Sequence, residues 1–245
     1  MKKEIYTLNK NTKYNKNEVP NTIKNIIFDV GDVLLEYRWK DMLMDKGLSE
    51  DEAVRIGTML FDDPLWHEFD LAEMSDAEVI QAYIKKYPQD AEIIEWFITH
   101  GEQMPVARQD VWDKMHELKE CGYGIYLLSN YSKDLFEKHT KGASFFDDID
   151  GKVVSYQIHI TKPDRRIYQY LLDQYDLDPA ECIFFDDRAD NTDAAEKMGM
   201  QTATITSKAQ LLELMEELIE KADALTENSS KETENRKQDK IGQTC

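Results

Sequence analysis

Short apolar stretches alternate with longer amphipathic ones along most of the chain, and this alternation restricts the possible folds more than any other feature. Five stretches are predicted to be strands: "NIIFDV", "IYLLSN", "KVVSYQI", "ECIFFDD" and "QTATIT". Continuous apolar strands separated by helices are typical of parallel sheets that are covered on both faces. The order therefore predicts an α/β fold with a doubly wound, Rossmann-like parallel sheet.

A helical region interrupts this alternation after the first strand. Capping boxes at "SEDE" (49–52) and "SDAE" (75–78) predict two helix starts, and no strand pattern occurs in the same region. The predicted α/β core consists of two pieces, 23–37 and 106–225, and the inserted helical cap spans 38–105. Residues 1–22 are predicted to be a polar, poorly ordered lead-in with a short β segment at Ile5–Leu8. Residues 226–245 are predicted to be a disordered tail, because 226–240 contain no apolar residue.

Charge and cysteine content exclude several classes of partner. The net charge of −19 disfavours nucleic acids and anionic membranes, because both require a basic surface. No apolar run reaches the roughly 18 residues of a membrane helix. Cys121, Cys182 and Cys245 are widely spaced and form no CxxC pair, which is typical of a reducing, cytoplasmic protein without a disulfide framework or a zinc site. The sequence does not distinguish between a monomer and a dimer.

Polar side chains stand where the predicted strands end or where a turn begins. Because the carboxyl ends of parallel strands share one edge of a sheet, and ligands bind there, these residues are expected to converge. The residues are Asp29 after the first strand, Ser129 and Asn130 after the second, Lys162 before Pro163, and Asp186 and Asp187, followed by Asp190 and Asn191.

Convergence of these groups would create a site for a metal and an anion. Three neighbouring carboxylates repel one another unless a cation joins them, and an all-oxygen ligand set suits Mg²⁺. Ser129 offers a hydroxyl group for an anion, and Lys162 adds a fixed positive charge. A free carboxylate such as Asp29 could then attack phosphorus, giving an aspartyl-phosphate that water cleaves.

The four segments "IIFDVGDVL", "YLLSN", "TKPD" and "FFDDRADN", in this order, resemble the four motifs of the haloacid dehalogenase-like (HAD) superfamily. The resemblance covers about residues 25–205 and implies a HAD core with an inserted helical C1-type cap. It also implies a role for each matching position. Asp29 would be the nucleophile and a Mg²⁺ ligand, the Gly31 carbonyl and Asp187 would be further metal ligands with Asp186 beside them, and Asn191 would order a metal-bound water. Ser129 and Asn130 would bind the phosphoryl group, and Lys162 would neutralise its charge.

Gly31 departs from the motif of most superfamily phosphatases, which carry an Asp there as general acid and base. One subgroup, resembling bacterial α-D-glucose-1-phosphate phosphatase, reads "FDxGxV" together with "FFDDxxDN", as this chain does. Asp32 lies one position further on, either as the catalytic acid or as a carboxylate that caps or supports the turn. The cap residues Trp66, His67 and Asp70 could face the substrate or serve packing and solvation.

The resemblance implies a Mg²⁺-dependent phosphatase acting on a small phosphorylated metabolite, for which we expect a sugar phosphate. An anomeric phosphate has a comparatively acidic leaving oxygen, so a weakened general acid costs less. Two alternatives stay open: a metal-independent dehalogenase-type hydrolase, which also lacks the acid at Gly31, and a regulatory or binding member of the family. The pair Asp186 and Asp187 disfavours the former, and Gly31 disfavours a phosphomutase.

Overall fold

A computed structural model describes residues 6–9, 12–14 and 23–242 of the chain, with side chains over 23–225. Its strands are β1 (Tyr6–Asn9), β2 (Thr12–Tyr14), β3 (Asn25–Phe28), β4 (Leu35–Tyr37), β5 (Pro105–Ala107), β6 (Gly124–Ser129), β7 (Gly151–Val154), β8 (Cys182–Asp186) and β9 (Gln201–Thr204). Its α-helices are α1 (Trp39–Asp45), α2 (Glu50–Phe61), α3 (Pro64–Leu71), α4 (Asp76–Lys86), α5 (Ala91–Thr99), α6 (Gln109–Glu120), α7 (Lys133–His139), α8 (Ser155–Ile158), α9 (Arg165–Tyr175), α10 (Ala189–Glu196) and α11 (Lys208–Gly242).

Five parallel strands form the central sheet, in the order β7-β6-β3-β8-β9. Strand β3 is the middle strand, and Phe28 pairs with Leu127 on one side and with Phe185 on the other. The register therefore places the end of β3 level with the ends of β6 and β8. The predicted α/β fold with a Rossmann-like parallel sheet is confirmed.

Helices cover both faces of this sheet. Ile26 and Phe28 belong to one apolar cluster, which includes residues of α6 and α11. Ile27, between them, belongs to a second cluster, which includes residues of α9 and α10. Neighbouring strand side chains point to opposite faces, so a strand that is buried on both faces needs an unbroken apolar run.

The helical region lies between two short antiparallel strands. Strand β4 leads into α1, and β5 follows α5; the two pair with Leu35 opposite Ala107 and Tyr37 opposite Pro105. Both predicted capping boxes are confirmed at the starts of α2 and α4. The helices α1 to α5 therefore leave and rejoin the core at a single two-stranded stem, although the domain limits themselves stay a prediction.

Helix α3 contacts the core directly at the carboxyl edge of the sheet. The Ser155 hydroxyl donates a hydrogen bond of 2.6 Å to the carbonyl of Asp70, and His159 Nδ1 donates one of 2.7 Å to the carbonyl of Leu71. Both acceptors are main-chain atoms at the end of α3, so these contacts fix the position of that helix above the ends of the strands.

Three local expectations differ from the structure. The strand predicted over "KVVSYQI" ends at Val154, and α8 begins at Ser155, whose Oγ accepts a hydrogen bond from the main-chain N–H of Tyr131. The β segment expected at Ile5–Leu8 appears as Tyr6–Asn9, paired with β2, while Ile5 lies outside the described residues. Helix α11 continues to Gly242, where disorder was expected; helical hydrogen bonds are internal to the segment, and Glu, Lys and Gln are good helix formers.

Two further observations concern the cysteines and the bilayer. Cys121 and Cys182 are free thiols, and Cys245 lies outside the described residues. Over the described part of the chain, none of the helices combines the length and the apolar character that crossing a bilayer requires.

Candidate active site

Asp29 directly follows the central strand β3, and its carboxylate is held through one oxygen. Oδ1 accepts hydrogen bonds from the Val30 N–H at 2.7 Å and from the Ser129 hydroxyl at 2.5 Å, and it lies 3.0 Å from Lys162 Nζ. Within residues 23–225, no hydrogen bond goes to the other oxygen, Oδ2. The side chain is therefore oriented by three donors while one oxygen stays available for chemistry.

Lys162 is a buried cation between two carboxylates. Its Nζ lies 2.7 Å from Asp186 Oδ2 and 3.0 Å from Asp29 Oδ1, and it donates a third hydrogen bond, of 2.8 Å, to the Leu128 carbonyl. Burial acts to lower the pKa of Lys162, but the charges of Asp186 and Asp29 raise it above its ordinary value. The ammonium group therefore stays charged and is held at a fixed place.

Asn130 uses its side chain to hold the main chain of Lys162. Its Oδ1 accepts a hydrogen bond of 2.8 Å from the Lys162 N–H, and its Nδ2 donates one of 2.9 Å to the Lys162 carbonyl. The amide group is thus engaged on both sides. Phosphoryl binding by Asn130, as predicted from the sequence, would have to come from its main-chain N–H.

The acidic side chains at the end of β8 have different surroundings. Asp186 is fully buried and accepts hydrogen bonds from Lys162 Nζ, from the Arg188 N–H and from the amide of Asn191. The carboxylate of Asp187 is half-buried and accepts no hydrogen bond from any described residue. Burial, reinforced by the charge of Asp29, raises its pKa above the ordinary value. Asp186 therefore organises its neighbours, whereas Asp187 is free to bind.

These residues fit a metal ion. Carboxylate oxygens of Asp29, Asp186 and Asp187 all lie within 4.8 Å of one another. Asn191 donates through Nδ2 to both oxygens of Asp186, and its Oδ1 is buried without a partner. Burial also raises the pKa of Asp29, with a further contribution from Asp186 against the opposing effect of Lys162. A cation among these oxygens would reduce the repulsion between the carboxylates and would give the amide oxygen of Asn191 a partner.

A cavity of about 470 Å³ lies between this edge of the sheet and the helices above it. Asp186 is buried beneath it, and Asp190, which was also expected to converge, is exposed and paired with Arg188. The other site residues predicted from the sequence line it: Asp29, Gly31, Asp32, Trp66, His67, Asp70, Ser129, Asn130, Lys162, Asp187 and Asn191. Residues far apart in the sequence are therefore brought together, as the position of the strand ends predicts. The role predicted for the Gly31 carbonyl stays a prediction.

The predicted cap residues face this cavity from α3. Trp66 packs edge-on against Phe61, with ring centres 4.6 Å apart, and His67 Nδ1 lies 3.4 Å from the Thr161 hydroxyl of the core. Burial raises the pKa of Asp70 to about 8, and the negative charge of Asp29 adds to this effect. Asp70 is thereby favoured as a neutral acid that can donate a hydrogen bond.

Asp32 adopts a left-handed backbone conformation with φ of 51°. Its Oδ1 accepts a hydrogen bond of 2.9 Å from the Tyr37 N–H, and its carbonyl accepts one of 2.6 Å from Arg108. Burial raises the pKa of Asp32 to about 6, although Arg108 opposes the shift. Its carboxylate thus closes the turn between β3 and β4 at the rim of the cavity.

Several lining residues were not predicted from the sequence, among them Tyr37, Tyr131 and His139. The hydroxyl groups of Tyr37 and Tyr131 are hydrogen-bonded to each other, and Tyr131 also bonds to His139 Nδ1 at 3.2 Å. Tyr131 follows the predicted pair Ser129 and Asn130 directly, which is a weak positional signal. Tyr37 and His139 carry no such signal, because neither lies in one of the four motifs.

The comparison with known proteins agrees with this geometry. A model of the haloacid dehalogenase-like hydrolase family matches residues 23–199. The chain belongs to this family. It is therefore a hydrolase, and the HAD motifs identified in the sequence are confirmed at the level of the superfamily.

Relatives of this HAD-type hydrolase include phosphatases and dehalogenases. It is 30% identical to the sesquiterpene phosphatase astK of Aspergillus oryzae over 199 residues, which cover 79% of this chain and 95% of that protein. It is 29% identical to the (S)-2-haloacid dehalogenase 4A of Burkholderia cepacia, but over 99 residues, 40% of this chain and 43% of the relative.

A solved structure shares the fold. The wild-type HAD family enzyme bt-2542 of Bacteroides thetaiotaomicron, complexed with magnesium and inorganic phosphate, superimposes with a TM-score of 0.60 at 22% identity. The match covers 76% of this chain and 96% of that one.

Proposed function

We propose that this chain is a Mg²⁺-dependent phosphatase that hydrolyses a small phosphomonoester through an aspartyl-phosphate on Asp29. The observation that carries the proposal is the arrangement of the Asp29 carboxylate. Three donors hold Oδ1, whereas Oδ2 accepts no hydrogen bond from the described residues. A carboxylate oxygen of Asp29 lies within 4.8 Å of one of Asp187, and both residues line the cavity. One oriented oxygen next to unpaired metal ligands suits attack on phosphorus.

The residues divide the reaction between them. Asp29 Oδ2 attacks the phosphorus atom, the bond to the leaving oxygen breaks, and water later attacks the same phosphorus to release phosphate and free Asp29. Lys162 and the Ser129 hydroxyl keep the nucleophile in position, and Lys162 offsets negative charge on the transferred group. Asp29, Asp187 and Asn191 would hold Mg²⁺, which when bound stabilises charge on the phosphoryl oxygens.

A metal-independent dehalogenase is the main alternative among enzymes. Displacement of halide from carbon develops no charge that requires a cation, so it gives no reason for a half-buried Asp187 without a hydrogen bond or for an unpaired amide oxygen on Asn191. The similarity to a dehalogenase also covers less of this chain than the similarity to a phosphatase. Both observations favour the phosphatase.

The wall of the cavity favours an apolar organic group on the substrate. Trp39, Phe61 and Trp66 form a continuous aromatic surface, with ring centres 5.7 Å apart between the first two and 4.6 Å apart between the last two. Such a surface buries apolar groups well. One relative that matches over most of its length is a sesquiterpene phosphatase. The sugar phosphate expected from the subgroup resemblance stays a second candidate.

Phosphate release from a panel of esters tests the proposal. The panel contains a terpenyl monophosphate, an alkyl phosphate and glucose 1-phosphate, each with Mg²⁺ and with EDTA. Chloropropionate is assayed for halide release under the same two conditions. We expect release of phosphate that requires Mg²⁺, is fastest with the apolar esters and falls by at least about 10³-fold in Asp29→Asn.

The matched control is Asp173→Asn, a change of the same type on the exposed face of α9. It should turn over like the unmodified chain. Release of halide in EDTA would support the dehalogenase instead, and tight binding of one ester without turnover would support a regulatory protein. Near-normal turnover in Asp29→Asn would show that the nucleophile is wrongly assigned.

A further inference from the structure

The absence of a side chain at position 31 leaves the reaction without an obvious proton donor. An alkoxide is a poor leaving group, so cleavage of an alkyl phosphate needs an acid near the leaving oxygen. Gly31 lies two residues after Asp29 and lines the same cavity. The side chain that covers Gly31 is therefore the place to look for a replacement.

Tyr37 fills the space that a side chain at position 31 would occupy. A methyl group on Gly31 would lie 2.7 Å from the Tyr37 hydroxyl oxygen and 2.7 Å from its Cε2. The phenol oxygen of Tyr37 is thus within 2.7 Å of the place where the first atom of such a side chain would be. Pairing of β4 with β5 and the hydrogen bond from the Tyr37 N–H to Asp32 hold this residue in position.

The Tyr37 hydroxyl belongs to a directed chain of hydrogen bonds. His139 Nε2 lies 2.9 Å from the Gly101 carbonyl, which can only accept, so Nε2 carries the proton. Burial lowers the pKa of His139 to about 4, so its ring is neutral and Nδ1 accepts from Tyr131. The Tyr131 oxygen in turn bonds to the Tyr37 hydroxyl. The far end of the chain is fixed, while both phenol hydroxyl groups can rotate.

We propose that Tyr37 is the catalytic acid and base that replaces a carboxylate at position 31, an assignment that rests on the proposed function. In the first step its proton goes to the leaving oxygen as the bond from that oxygen to phosphorus breaks and Asp29 becomes phosphorylated. In the second step the attacking water gives a proton back to the Tyr37 phenolate as it displaces Asp29. Tyr131 is a positioning residue, because its hydroxyl can turn to donate to the phenolate.

Of the other acids that line the cavity, Asp32 and Asp70 are the ones to weigh against Tyr37. Asp32 is engaged by the main chain of Tyr37, and its role is to hold that residue. Asp70 reaches the cavity from the cap and can donate a proton as a neutral acid. The experiment therefore compares Tyr37 with Asp70.

Dependence on the leaving group separates an acid from a structural residue. Tyr37→Phe and Asp70→Asn are assayed with p-nitrophenyl phosphate, whose leaving group needs no proton, and with 2-phenylethyl phosphate, whose leaving group does. For Tyr37→Phe we expect kcat on the alkyl ester to fall by about 10²-fold or more, and kcat on the nitrophenyl ester to change by less than about threefold. Tyr170→Phe, an exposed tyrosine on α9, is the matched control and should change neither value.

A swap of functional groups tests the same idea without relying on one variant. Tyr37→Ala should lose alkyl phosphatase activity, and adding Gly31→Asp to it should restore at least tenfold, because the ring no longer blocks position 31. Gly31→Asp alone should not raise the alkyl phosphatase activity above that of the native chain, since its side chain meets the Tyr37 ring.

Three results would overturn the assignment. One is an equal loss on both esters in Tyr37→Phe, one is a selective loss in Asp70→Asn alone, and one is no recovery in the swapped pair. A native chain that releases phosphate from neither ester overturns the proposed function as well, which distinguishes the two failures.

Discussion

Single buried charges determine the chemistry of this site. Lys162 balances one of the two carboxylates that it contacts, and Asp187 adds a further negative charge nearby. The cluster therefore keeps an excess of negative charge in a buried place, which is costly in the absence of a cation. The same excess would attract a divalent ion to this edge of the sheet, where Asp29 and Asp187 could hold it.

His139 should make the fold sensitive to acid. Its pKa is lowered by burial to about 4, whereas in the unfolded chain it is about 6.5. The unfolded chain therefore binds a proton first as the pH falls, and stability is lost between about pH 6.5 and 4. We expect His139 to account for about 2 kcal/mol of the free energy of unfolding lost between pH 7 and pH 5.

Urea denaturation at these two pH values checks this prediction. In His139→Gln, which can still donate to the Gly101 carbonyl, the loss between pH 7 and pH 5 should shrink by that amount. An unchanged loss in the variant would mean that other groups cause the acid sensitivity.

At the scale of elements, the position of α3 depends on Ser155. Its hydroxyl accepts from the Tyr131 N–H and donates to the Asp70 carbonyl, so it joins the core to the end of that helix. In Ser155→Ala we expect the helix to be held less firmly, with KM raised roughly tenfold, equivalent to the ~1–1.5 kcal/mol of one hydrogen bond. Steady-state kinetics on the ester with the highest activity measures this.

Ser49→Ala is the matched control for this change. Ser49 caps α2 within the helical region and has no contact with the core in its capping box. Its removal should lower the free energy of unfolding by about 1 kcal/mol without changing KM. If KM rises equally in both variants, general loosening of the cap helices explains the effect better than the contact made by Ser155.

The elements that could be predicted from sequence are those defined by local patterns. The unbroken run Ile26–Phe28 marks a strand buried on both faces, and the boxes at Ser49 and Ser75 mark helix starts. The strand-end residues converge because parallel strands share an edge, and this needs only the order of the elements. The end of β7 at Val154 was missed because it depends on contacts of Ser155 with distant residues.

Tyr37 shows what a sequence pattern cannot supply. Its place over Gly31 depends on the pairing of β4 with β5, a contact between residues almost seventy positions apart. No motif includes a lone tyrosine after "VLLE". The lack of an acid at Gly31 could be identified from the sequence, but the group that fills the space could be found only in three dimensions.

For the whole molecule, binding of Mg²⁺ should couple to stability. An ion that binds only the folded chain adds about 2.7 kcal/mol to the free energy of unfolding at a concentration one hundred times its Kd. Thermal denaturation over a Mg²⁺ titration should therefore show a rising midpoint. In Asp187→Asn the midpoint without metal should be higher, because repulsion is relieved, and its response to Mg²⁺ should be weak.

The control for this prediction is again Asp173→Asn, which should respond to Mg²⁺ like the unmodified chain. An equal rise of the midpoint in Asp187→Asn would place the ion elsewhere. No rise in any of the three proteins would contradict a metal site at this edge of the sheet.

The pairing of Tyr37 with Pro105 has a consequence for how such a protein can change over time. Residues opposite each other in an antiparallel ladder are about 5 Å apart, a gap that a two-residue turn can span. The five-stranded sheet would therefore keep its connectivity if everything from residue 38 to residue 104 were exchanged for such a turn or for an unrelated segment. The helical segment that lines one side of the cavity could thus be replaced while the proposed reacting groups at the strand ends stay unchanged.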